Sequence, residues 1–162
     1  MRSRKEIVRQ LDRIDLSILR VLQENGRISY VELADRVGLS TTPCMERVKR
    51  LEREGIILGY SARLNPSCLK AGLLVFVEIS LYNKSDNIFE EFRRAVIALP
   101  NVLECHLVSG QFDYLVKARI SEMASYRELL SDILLKLPGV RDSKSYVVMD
   151  ELKETLSLPI AE

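Results

Sequence analysis

The chain has 162 residues, 47% of them hydrophobic, and a formal net charge of +1 at pH 7. That is enough apolar material for two small cores, and no apolar run reaches the roughly 18 residues of a membrane span. The cysteines, Cys44, Cys68 and Cys105, are far apart with no Cys-x-x-Cys, and His106 is the single histidine, so they read as reduced thiols rather than a disulfide framework or zinc site.

Residues 1–10 are basic and lack the apolar stretch of a signal peptide, so they read as a flexible arm or a helix extension, and the chain is expected in the cytoplasm. Asp12 then caps a helix carrying an apolar stripe of Ile14, Ile18, Leu19 and Leu22. Ser29-Tyr30-Val31-Glu32 has the capping-box pattern of a second helix, and Val37-Gly38-Leu39 is the turn after it. Ser40-Thr41-Thr42-Pro43 opens a third, which runs through residues 44–54 and closes at Gly55. Cys44, Val48 and Leu51 share one face of it, leaving Arg47, Lys49, Arg50 and Arg53 largely outside. Helix, glycine turn and basic helix make a helix-turn-helix. The plainer alternative is an αα-hairpin with a solvated charged face. The capped first helix weighs against it, and so do residues 56–64, which are expected to form a β-hairpin wing and complete a winged helix-turn-helix domain over residues 1–64.

On this reading Thr41, Thr42, Glu46 and Arg47 reach base edges from the first half of the third helix, while Lys49, Arg50 and Arg53 are placed for phosphates. Ser29 and Tyr30, which open the preceding helix, are counted with them. Charge divides the chain at the same place. Residues 1–64 hold 13 Lys+Arg against 9 Asp+Glu, an excess of four; the remainder holds 11 against 14, a deficit of three. A basic front suits phosphate neutralisation on double-stranded DNA, and an excess of four is modest enough that a dimer is expected.

After a turn-rich connector at residues 65–72 the elements alternate. Residues 73–82 read as a strand with Leu73, Val75, Val77, Ile79 and Leu81 inward, and residues 87–99 as a helix burying Ile88, Phe89, Phe92, Val96 and Leu99. A strand at 102–109, the turn Gly110-Gln111-Phe112 and a strand at 113–120 follow. A helix at 123–137, with Tyr126, Leu130, Ile133, Leu134 and Leu137 inward, and a strand at 140–149 complete a βαββαβ order. This is a ferredoxin-like α+β domain over residues 73–162, with both helices on one face of an antiparallel sheet. The other face should carry Phe76, Glu78, Ser80, Tyr82, Glu104, His106 and Val108, and is expected to join two sheets in a homodimer. The alternative cover is the chain's own tail near Leu156-Ser157-Leu158. Cys105 and His106 point to opposite faces of a strand and cannot form a dyad. With no Gly-rich phosphate loop either, neither an enzyme nor a cofactor is expected.

Several stretches resemble the Lrp/AsnC (feast/famine) family of bacterial transcriptional regulators. In the front half they are Leu11-Asp12-Arg13-Ile14-Asp15, Gly26-Arg27-Ile28-Ser29, Arg36-Val37-Gly38-Leu39-Ser40, Thr42-Pro43-Cys44 and Glu46-Arg47-Val48. In the rear they include Glu104-Cys105-His106-Leu107-Val108-Ser109-Gly110, Phe112-Asp113-Tyr114, Leu137-Pro138-Gly139-Val140 and Tyr146-Val147-Val148-Met149. The resemblance implies dimers that assemble into octamers or larger rings, and a small amino acid bound between dimers near the turn before the third strand. Here that turn is Ser109, Gly110, Gln111, Phe112, Asp113 and Tyr114, and the family's response positions map to Leu107, Met123, Tyr146, Val147 and Val148. The chain departs from relatives at Gln111, where they carry an acidic residue. Asp113 is then expected to meet the effector's ammonium or to fix the turn, with Leu107, Met123 and Val148 lining an apolar pocket suited to leucine or another hydrophobic amino acid. The function expected is an amino-acid-responsive, sequence-specific transcriptional regulator. A nucleoid-type architectural DNA binder without effector input is the alternative.

Overall fold

The computed structural model describes residues 11–83 and 85–160, apart from the side chain of Leu134. The basic arm at residues 1–10 and the inward placement of Leu134 therefore lie outside the described residues. Two compact units divide the chain: one extends to Arg63 and takes back the chain from Glu154, and the other is Leu64–Lys153. This differs from a boundary that leaves the whole rear in the second domain. The reason is a clasp on the first helix: the Gln23 amide donates to the Leu158 carbonyl at 3.1 Å while Leu158 N–H donates to Gln23 Oε1 at 2.6 Å. Leu156 and Leu158 thus belong with the first unit rather than over the sheet.

The first unit is built on α1 (Arg13–Glu24), α2 (Tyr30–Val37) and α3 (Thr41–Arg53). Asp12 and Asp15 exchange side-chain bonds with each other's backbone N–H, at 2.8 and 3.3 Å, in a capping box at the start of α1. Ser29 caps α2 by accepting from Glu32 N–H at 3.2 Å, while the Glu32 carboxylate pairs with Arg36 one turn on. Gly38 ends α2 at φ +71°, the left-handed conformation that turns the chain into α3. Ile18, Leu33, Ala34, Cys44, Val48 and Leu51 form the core, and Ile14, Leu19 and Leu22 pack against it.

The expected wing hairpin is not made of strands. Ile56 and Ile57 N–H both donate to the Leu51 carbonyl, at 2.9 and 3.1 Å, so they finish α3 instead of starting a ladder. Beyond them residues 58–64 carry no strand, and Leu58 is 92% exposed.

The second unit begins with a short 3-10 turn, Pro66–Leu69, capped by Asn65. It continues as β1 (Leu73–Leu81), α4 (Asp86–Ile97), β2 (Val102–Leu107), β3 (Tyr114–Ile120), α5 (Tyr126–Lys136) and β4 (Val140–Val147). The strands form one antiparallel sheet in the order β2-β3-β1-β4, the pattern of a split βαββαβ. Val75, Val77, Ile79 and Leu81 alternate inward along β1, meeting Val116, Ala118 and Ile120 of β3 and Phe92 and Val96 of α4. A 3-10 turn at Met123–Ser125 precedes α5, which buries Leu129 and Ile133, with Leu137 buried just past its end, while Leu130 is only half-buried.

The opposite sheet face is polar and internally paired. Tyr146 donates to Glu78 at 3.1 Å with the Lys144 ammonium over its ring, and Glu104 bridges Lys117 and His106, each at 3.1 Å. Arg119 joins Glu151 at 2.6 Å. Phe76 lies among these groups, opposite Lys117 on one side and Tyr146 on the other.

Candidate functional site

The exposed surface of α3 begins at its N-terminus. Thr41, Thr42 and Glu46 are exposed there, and Lys49 and Arg53 continue the surface without an ion-pair partner among the described residues. Ser29 and Tyr30 are exposed at the start of α2. Arg47 and Arg50 are placed otherwise. Arg47 Nη1 donates to Asp12 Oδ2 at 2.6 Å and to Asp15 Oδ1 at 2.8 Å, and Arg50 Nη2 meets Asp15 Oδ2 at 2.6 Å. Asp15 is only 2% exposed, so α1 and α3 are joined by a buried carboxylate shared between two guanidiniums. The hydrogen bond from Arg47, then that from the Asp15 amide, holds the Asp12 carboxyl below the usual carboxylate range.

Arg47, expected at base edges, and Arg50, expected at phosphates, are thus also joined to α1. The signal was present in the sequence as Asp12 and Asp15 three apart on one helix and Arg47 and Arg50 three apart on another. Nothing in the periodicity of either helix alone says that the two pairs meet. Tyr60 is a second residue the motif did not mark. It donates to Glu52 at 3.0 Å, and burial, then that bond, pushes its hydroxyl up to about 12.

In the second unit the turn between β2 and β3 is built around Asp113. Its carboxylate accepts from Leu81 N–H at 2.9 Å, its own N–H donates to the Ile79 carbonyl, and its carbonyl accepts from Val108 N–H. Asp113 is 7% exposed and ties the turn to the end of β1. Gly110 sits at φ +156° with open space where a Cβ would stand, so conformation rather than crowding requires glycine there. Ser109 and Gln111 are exposed, Phe112 is half-buried, and Tyr114 is buried, stacked on Phe92 at 4.1 Å.

The remaining expected effector residues are divided between the two ends of the sheet. Leu107 pairs with Tyr114 beside the turn, near Ile79, whereas Val147 pairs with Val75 and Val148 N–H donates to Leu74. Met123 follows Ile120, the partner of Leu73. At about 3.3 Å per residue, the seven steps from Leu74 to Leu81 span about 23 Å. A single pocket lined by Leu107, Met123 and Val148 is therefore not formed within one chain. What one chain does offer is an open groove of about 600 Å³ between α4 and edge strand β2, with Leu107 and Tyr114 among its walls beside Phe89, Val96 and Cys105. Cys105 faces this side, its thiol pushed up to about 11 by burial, while His106 faces the opposite side beside Glu104. Among the described residues no cluster could hold a metal ion, and no helix is long and apolar enough to cross a membrane.

Residues 11–57 match the winged helix-turn-helix DNA-binding family, and residues 74–158 match the Lrp/AsnC ligand-binding domain. The chain belongs to the Lrp/AsnC family. The leucine-responsive regulatory protein of Escherichia coli (strain K12) is 57% identical over 158 residues, covering 98% of this chain and 96% of that protein. A transcriptional regulator from Neisseria meningitidis, solved in complex with L-Met, superposes with a TM-score of 0.86 at 42% identity, over 92% of this chain and 96% of that one. The leucine response regulatory protein of Mycobacterium tuberculosis gives 0.77 at 30% identity, over 93% and 100%. As an Lrp/AsnC member the chain is a DNA-binding transcriptional regulator and not an enzyme. Its ligand-binding domain argues against a purely architectural role.

Proposed function

We propose that this regulator reads DNA with the exposed side of α3, and that leucine, methionine or a similar hydrophobic amino acid biases its state of assembly, in the cytoplasm on the nucleoid. The effector class is supported by relatives named for leucine and by the neighbour solved with L-Met. One observation carries the coupling. The residues expected around the effector fall at two opposite ends of the sheet, so a second copy must bring its Met123 and Val148 end to the first copy's Leu107 and Asp113 end. Homodimers joined through the paired sheet face, assembling into octamers or larger, provide such meetings. An effector bound there shifts assembly by its differential affinity for the two states, typically about 1–3 kcal/mol. Light scattering across titrations with leucine, methionine and a charged amino acid tests this. A mass shift with the hydrophobic pair alone is expected, and an unchanged mass with every amino acid would remove the coupling.

Asp113 serves this site by fixing the turn rather than by touching the ammonium, since its carboxylate is buried against Leu81. Asp113→Ala leaves that N–H without its acceptor, at a cost of about 1–3 kcal/mol, and should abolish the effector-driven mass shift while DNA binding persists. Asp113→Asn keeps an acceptor oxygen and should keep the response. Loss of response in both variants would point to the charge itself.

At the DNA face, Arg53→Ala should weaken every duplex alike and flatten the log–log salt dependence of affinity by about 0.9. Fluorescence anisotropy at several salt concentrations reads this directly. A sequence-selective loss would place Arg53 at a base edge instead.

A further inference from the structure

The two carboxylates on Arg47 differ in kind. Asp15 is buried and shared with Arg50, whereas the Asp12 side chain is half exposed at the start of α1. Both bonds to them are made by Arg47 Nη1, and a guanidinium has five donors. Arg47 also lines a shallow open depression with Pro43, Glu46 and Arg50, so part of the side chain is reached from solvent. From this arrangement we infer that Asp12 is a specificity-determining residue, an internal competitor that occupies Arg47 until a DNA phosphate takes its place.

Carboxylate and phosphate are alternative partners for one guanidinium, and the phosphate belongs to a polyanionic backbone whose condensed counterions are released when a cation binds. Asp12 is the exchangeable member because releasing it returns a carboxylate to water that already reaches it. Asp15 stays, so Arg47 keeps its position during the exchange. On random duplex the phosphates hold no fixed register against α3, and Asp12 retains Arg47. On a sequence that α3 reads, base contacts hold one phosphate in place long enough to displace it. Asp12 thus weakens binding to random DNA more than binding to a cognate site.

Asp12→Asn tests this without removing the helix cap, since asparagine caps as well as aspartate and its amide oxygen still accepts from Asp15 N–H. Full-length protein is titrated by anisotropy against a fragment selected from genomic DNA and a random duplex of equal length. For random duplex the variant should bind more tightly at low salt, with a log–log slope steeper by about 0.9, so that its advantage shrinks about three- to fourfold between 50 and 200 mM salt. The selected fragment should change less, narrowing the ratio between the two. In an Arg47→Ala or, if that lowers helix content, Arg47→Gln background, Asp12→Asn should have no effect on the slope. An unchanged slope for random duplex, equal strengthening of both duplexes, or the same change without Arg47 would each overturn the proposal. The inference rests on α3 facing DNA: if Arg53→Ala also changes nothing, that DNA face falls and the proposal with it, whereas an Arg53 effect beside an unchanged Asp12→Asn slope overturns the proposal alone.

Discussion

Asp15→Ala should unfold the DNA-binding unit under conditions where the sheet remains intact. Asp15 is a buried carboxylate holding Arg47 at 2.8 Å and Arg50 at 2.6 Å, and Arg50 Nε is already buried without an acceptor. Removing the shared anion leaves Arg50 without a compensating charge and Arg47 with Asp12 alone, and breaking a buried pair in this way typically costs about 3–5 kcal/mol. A domain of about 60 residues has little more than that in reserve. Thermal unfolding followed by helix circular dichroism should show the helical transition lost or moved down by ten degrees or more. A shift of only a few degrees would mean that the guanidiniums find water when Asp15 goes, and that the ion pairs do not hold α3 in place.

Phe76→Glu should dissociate the proposed dimer while leaving the fold. Phe76 lies in the middle of the open sheet face, between Lys117 and Tyr146, and these are already engaged with Glu104 and Glu78. A carboxylate there finds no free cation opposite it and, in a face-to-face dimer, is stripped of water, at a cost of several kcal/mol to the dimer. Sedimentation velocity should give monomers with helix content retained. Wild-type mass in the variant would show that copies meet through some other surface.

The helices and strands were legible because each carries its own periodicity. Cys44, Val48 and Leu51 declare the inner face of α3, and the alternation from Leu73 to Leu81 declares that of β1. What was not legible depends on partners far away in the chain. Residues 56–64 look like a hairpin by composition, but the Leu51 carbonyl captures their first two N–H groups before a ladder can begin. Arg47 and Arg50 look like DNA contacts on α3 taken alone, and only α1 shows the carboxylates they also meet. Likewise, the turn residues and Met123 with Val148 read as one site between copies, and only strand direction shows that each chain carries them at opposite ends of its sheet.

The Gln23 amide bound to Leu158 makes the DNA-binding unit a discontinuous one, assembled from two stretches of chain with the entire sheet encoded between them. On the ribosome this imposes an order. Helices α1 to α3 emerge first, and the segment that clasps α1 follows about 90 residues later, roughly 5–20 s at ordinary elongation rates. The clasp on α1 is therefore added last, after the sheet has been synthesised, to a unit whose core residues all precede the sheet in the chain.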